Sequence, residues 1–224
     1  MTNLTLYEEV ILLALCEERG TINSSYVNYA VAAAIVAELL LRERISIDEG
    51  RGKLINVEST ALFADPILDE AIQLLSSAKR RKKLNSWVQK FSTIKNLRHK
   101  VAEQLVRKGI VKADTDKVLF LFTRKVYPEL NPVPEKQLRE RLRQAVLSEE
   151  TEIETRTTVL LSLLKGARLI QQVFSRKELR EHKKRIERIT EGDLLGGATK
   201  ELISACEAAI MVAVIIPAIT VSTS

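Results

Sequence analysis

Apolar residues recur at helical spacing through most of this chain and at alternating spacing in only two places. Thr5 and Glu8 have the spacing of a capping box, and Val10, Ile11, Leu12, Leu13 and Leu15 then supply a broad apolar face. Gly20 reads as the stop signal of this first helix. Ser24 or Ser25 can cap a second helix over 26–42, whose stretch 30–37 is apolar almost all round and so belongs at the centre of the fold. Ile45 and Ile47 next alternate with polar residues, Glu49, Gly50, Arg51 and Gly52 spell a turn, and 54–57 returns, which predicts a hairpin.

Asp65 followed by Pro66 is a cap with proline at the first helical position, predicting a helix to about Ser77. Short helices are predicted over 84–91, around Trp87, and over 95–108, ending at Gly109. A second hairpin is predicted from Ile110 and Val111, a turn at Asp114, Thr115 and Asp116, and a return strand over 118–122. Three prolines make 127–134 a loop. Helices follow over 135–147, 154–173 and 176–189, then a loop over 192–197 and a last helix over 199–216. The expected fold is mostly α: a single compact helical domain, 1–224, with two short β-hairpins. A helix followed by a hairpin occurs twice, which suggests a weak internal repeat without residue-level identity.

Composition narrows this picture. Hydrophobic residues make up 46% of the 224 and aromatic residues only 4%, so aliphatic side chains must fill the core. The net charge of +6 favours an anionic partner, whether nucleic acid, phosphoinositide or acidic bilayer, although a basic surface without a partner reads the same way. Cys16 and Cys206, both in apolar contexts, read as buried free thiols suited to a reducing compartment. Glu8 and Glu9 enter before any apolar core of a signal peptide develops. The most apolar stretch, 205–221, is interrupted by Glu207 and Pro217 and is short for a membrane span, so a buried core helix is expected there.

Catalytic constellations are not found. His99 and His182 lack partners at metal-ligand spacing and read as residues of charged helix surfaces; no nucleophile elbow or phosphate loop occurs, and Gly50 and Gly52 belong to a turn. Asp65, Asp69 and Glu70 are explained by capping and helix solvation. A protein that is not an enzyme, with no metal and no cofactor, is the expectation. The cationic features say more. Lys79, Arg80, Arg81, Lys82 and Lys83 form an unbroken basic run; Lys95 and Arg98 lie three apart on a predicted helix, extended by His99 and Lys100. Such a pair suits phosphate, Arg with a planar fork and Lys as a point charge, while a solvated helix face is the plainer explanation. Leu119, Phe120, Leu121 and Phe122 are consecutively apolar and precede Arg124, Lys125 and Tyr127. A strand buried on both faces reads this way, as does a hairpin dipping into lipid; burial is the favoured reading.

Several stretches resemble the Golgi phosphoprotein 3 family: 4–13 (LTLYEEVILL), 37–45 (AELLLRERI), 67–71 (ILDEA), the surroundings of Trp87, and 105–110 (LVRKGI). They keep family order over nearly the whole chain. The resemblance implies a helical domain, cytoplasmic and peripherally associated with membranes, on the cytosolic face of the Golgi in eukaryotes. It implies binding of phosphatidylinositol 4-phosphate and of cytosolic tails of membrane enzymes, with an apolar hairpin for membrane contact or self-association, here 118–128. Lys95 and Arg98 match the family's later pair of headgroup-binding arginines, and Arg81 is a further candidate. Asn23 and Ala32 stand where the family has a tryptophan and an arginine, so the resemblance carries affinity for anionic lipid further than selectivity for one headgroup. The chain is similar to short prokaryotic-type members. Two other readings compete: a winged-helix-like nucleic-acid binder, disfavoured because the second helix lacks base-reading side chains, and a protein-binding module without lipid contact.

Overall fold

In the computed structural model, the described residues are 4–15, 20–22, 27–48, 53–118, 122–149 and 152–192. They form helices α1 (Leu6–Ala14), α2 (Val27–Leu41), α3 (Pro66–Ser76), α4 (Leu84–Ser92), α5 (Leu97–Arg107), α6 (Val133–Leu147), α7 (Thr155–Gly166), α8 (Arg176–Glu181) and α9 (Lys183–Thr190). Two antiparallel hairpins pair β1 (Ile45–Ile47) with β2 (Ile55–Val57), and β3 (Asp114–Val118) with β4 (Phe122–Val126). The mostly helical expectation holds. Cys16, Cys206 and the helix expected over 199–216 lie outside the described residues.

The core is aliphatic. Helix α2 runs through it, with Val27 and every residue from Ala30 to Leu39 buried; α1 and α7 pack against it, and Trp87, Tyr7, Tyr127, Phe91 and Phe174 fill the remaining space. A helix buried all round has no face left for a DNA groove, which removes the recognition helix from the winged-helix reading.

Charge is buried in the core as well, and it clamps the start of α1. Glu38 of α2 accepts a hydrogen bond from the Leu6 amide at 2.8 Å and pairs with Arg42 at 2.7 Å and Arg156 at 3.2 Å. Arg156, on α7, donates to the Leu4 carbonyl at 2.6 Å. Glu8 caps Thr5 and accepts from Lys108 at 2.6 Å, while Glu9 pairs with Arg141 at 3.0 Å. Burial pushes the Glu9 carboxyl above its usual range, against the pull of Arg141 and Arg156.

Six features differ from expectation. α1 ends at Ala14 rather than Gly20, because Leu15 turns into extended backbone and bridges Ile22. α5 starts at Leu97 rather than Lys95, because Asn96 adopts φ 58°, a left-handed conformation that asparagine tolerates and a helix does not. The turn expected at Asp114, Thr115 and Asp116 is strand: Asp116 faces Arg124 in register and pairs with it at 2.7 Å, a cross-strand match that keeps the polar segment extended. The chain reverses between Val118 and Phe122, so 118–122 is not one return strand, and Leu119, Phe120 and Leu121 lie outside the described residues, as does the Phe122 side chain. α7 stops at Gly166, where Arg168 takes φ 58° and the Leu169 amide reaches back to the Leu164 carbonyl at 2.8 Å; a 3-10 turn, Ile170–Gln172, follows. Finally, the helix expected over 176–189 is bent at His182, whose φ of −101° separates α8 from α9.

The basic run after α3 ends beside the first hairpin. Lys83 bridges Leu54, the Ile55 amide donates to the Lys82 carbonyl at 3.1 Å, and the Leu84 amide donates to the Lys53 carbonyl at 3.2 Å. Lys82 and Lys83 therefore lie beside the start of β2.

Candidate functional site: a cationic cleft at the start of α5

An open pocket of about 270 Å³ lies between the turn before α5, α5 itself and β4, lined by Lys95, Asn96, His99, Lys100, Glu103 and Lys125. Lys95 lies in the turn and is exposed; Arg98 is in the first helical turn, half-buried, and is not part of the lining. Lys100 pairs with Glu70 at 2.6 Å, and Lys125 pairs with Glu103 at 2.9 Å. Lys95 and Arg98 make no ion pair with any described residue.

Backbone geometry adds donors. Asn96 makes no side-chain cap, the Leu97 amide donates to Ile94 at 3.2 Å, and the next amide with a backbone acceptor is that of Lys100, bonded to Asn96 at 2.9 Å. The amides of Arg98 and His99 between them have no acceptor among the described residues. Open amides at a helix start, with two uncompensated cations beside them, suit an anion.

His99 is held from behind. Its Nδ1 lies 3.0 Å from the Tyr127 hydroxyl, and the Tyr127 amide donates to the Gly20 carbonyl at 2.7 Å. Burial first, then the charges of Arg98 and Lys125, push the His99 imidazole below its usual range, so it is neutral at pH 7. Burial pushes the Tyr127 hydroxyl up. His99 is thus a half-buried wall of the cleft rather than a free surface residue.

Other candidate residues lie elsewhere or have structural work. Arg81 donates to Asn56 on β2 at 2.7 Å and pairs with Asp48 at 3.4 Å, and it does not line the cleft. Ala32 is fully buried in α2; Asn23 lies outside the described residues. Asp65 caps α3 by accepting from Ile67 at 3.0 Å and Leu68 at 3.2 Å, and also accepts from Tyr7 and Gln104. Asp69 accepts from the Phe63 amide at 2.7 Å. Sequence reasoning missed Glu103 and Lys125. Lys125 reaches the cleft only through the pairing of β4 and its contact with α5, for which the local pattern holds no signal.

The fold and cleft define a mostly helical module built to present positive charge. Among the described residues there is no cluster able to hold a metal ion, and no helix is long and apolar enough to cross a membrane. The family model described as Golgi phosphoprotein 3 (GPP34) matches residues 6–206, and the chain belongs to that family.

Proposed function

We propose that this protein is a non-catalytic adaptor that binds membranes peripherally from the cytoplasmic side and holds the phosphate of an anionic lipid headgroup at the start of α5. The observation that carries this reading is the pair Lys95 and Arg98, cations without an ion pair among the described residues, beside the open amides of Arg98 and His99. Family membership makes a Golgi-associated adaptor the consistent setting. It also supplies the proposed ligand, phosphatidylinositol 4-phosphate, and the proposed protein partners, cytosolic tails of membrane enzymes. Ala32, buried and uncharged, adds nothing to headgroup recognition, so general affinity for anionic lipid is expected to exceed selectivity. Leu119, Phe120, Leu121 and Phe122 remain the proposed apolar contact with lipid or with a second copy.

Sedimentation with neutral, phosphatidylserine and phosphatidylinositol 4-phosphate vesicles tests this. The protein is expected to pellet with both anionic preparations and to stay in solution with neutral lipid. The double variant Lys95→Glu, Arg98→Glu should lose the response to phosphatidylinositol 4-phosphate while keeping its melting temperature. Undiminished pelleting of that variant would remove the cleft from the reading.

His99 provides an independent readout. An anion beside the imidazole favours its protonated form, so soluble inositol phosphate should raise the His99 pKa from its depressed value, as followed by NMR. By linkage, affinity should rise as pH falls through the pKa of the bound state and level off below that of the free state. A His99 titration indifferent to the ligand would place binding elsewhere.

A further inference from the structure

Helices α8 and α9 carry a second concentration of charge. Arg176, Arg180, Lys184 and Arg188 recur every four residues, are all exposed, and have no ion pair with any described residue. At 1.5 Å per residue, Arg176 and Arg180 on α8, and Lys184 and Arg188 on α9, stand about 6 Å apart along their helices. The opposite side of α9 is buried through Ile186 and Ile189.

Helix stability does not account for this row. Like charges four apart repel on a helix surface, and each helix carries one such pair, Arg176 with Arg180 on α8 and Lys184 with Arg188 on α9. Arg176 begins α8 and Lys184 lies in the first turn of α9, where the helix dipole disfavours cations. The neighbouring cations behave differently. Lys177 pairs with Glu181 at 3.8 Å, Lys183 with Glu187 at 3.9 Å, and Arg185 donates to the Ala145 carbonyl at 3.0 and 2.8 Å. The unpaired row is thereby held on a rigid base, to which Arg143 adds a 2.5 Å pair with Glu178. That Arg143 hydrogen bond, helped by the Ser175 amide, holds the Glu178 carboxyl down at about 2, so the brace is intact throughout the neutral range.

We infer that the row Arg176, Arg180, Lys184 and Arg188 is an electrostatic docking surface for an anionic bilayer, separate from the α5 cleft and indifferent to headgroup identity. It rests on the membrane reading but not on the cleft. The face offers only charge: no aromatic ring to stack on a base, no amide side chain to read one, and no apolar side chain to insert. Charge alone on an exposed surface matches a field of phosphate and carboxylate headgroups.

The test is flotation of the full chain with phosphatidylserine vesicles over a salt series. The quadruple variant Arg176→Gln, Arg180→Gln, Lys184→Gln, Arg188→Gln should lose about fivefold in partitioning per cation, a few hundredfold in all, along with most of the salt dependence. A second variant exchanging the three arginines for lysine should bind nearly as the parent does, and this guards against a folding artefact. In the quadruple variant, the His99 response to inositol phosphate should persist. Unchanged phosphatidylserine binding of a folded quadruple variant would overturn the inference. Row-dependent binding to a duplex DNA oligonucleotide without any to vesicles would also overturn it, and would reassign the surface to nucleic acid. Loss of selectivity in the Lys95, Arg98 variant alone bears on the cleft, not on this row.

Discussion

Gly20→Ala is expected to lower stability by about 2–5 kcal/mol, combining a strained left-handed backbone with an overpacked contact. Gly20 sits at φ 59°, and a Cβ there would fall inside contact distance of the Pro128 nitrogen and the Tyr127 carbonyl carbon. These are backbone atoms, so no side-chain rotamer relieves the clash. The segment that must move carries Tyr127, whose amide bonds to Gly20 and whose hydroxyl bonds to His99. The substitution should therefore disturb the cleft as well as the melt. Gly109 is the control: φ is 69°, yet nothing lies within 4 Å of a Cβ built there. Gly109→Ala should cost only the backbone strain, about 1–2 kcal/mol, and leave the His99 resonance in place. Equal losses at the two glycines, measured by urea titration, would show that crowding at Pro128 is not the cause.

Glu38→Ala is expected to cost about 3–5 kcal/mol, because removing one partner leaves the others buried and uncompensated. Glu38 is 1% exposed and serves the Leu6 amide, Arg42 and Arg156 together. Lys125→Ala, which breaks an exposed pair with Glu103, should leave stability nearly unchanged. Chemical denaturation of the two variants checks the contrast. A small Glu38 effect would mean that water replaces the carboxylate at the start of α1.

Most of the architecture was legible because local signals and tertiary packing agreed. Asp65 with Pro66 marks α3, and the uninterrupted apolar run of α2 marks the element at the centre. Misjudged boundaries are those set by distant contacts or by one backbone angle. Nothing near Leu15 announces its bridge to Ile22, and Asn96 reads as an ordinary helical residue until its φ is known. At the start of α5, Lys95 and Arg98 could be singled out because two cations stand three apart there. Glu103 and Lys125 could not, since their relation depends on how β4 is laid against α5. The row on α8 and α9 was hidden by the abundance of nearby charge: only geometry separates cations with a partner from those without.

The pairing of Lys82 and Lys83 beside the start of β2 has a further consequence. An open strand edge is a template on which another chain can add a strand, and that is a common start of aggregation. Here the backbone of Lys82, Lys83 and Leu84 already occupies hydrogen-bonding positions beside β2, and Lys79, Arg80, Arg81, Lys82 and Lys83 all remain exposed. An approaching strand would meet the occupied amide of Ile55 and concentrated positive charge, which hinders edge-to-edge self-association at the start of β2.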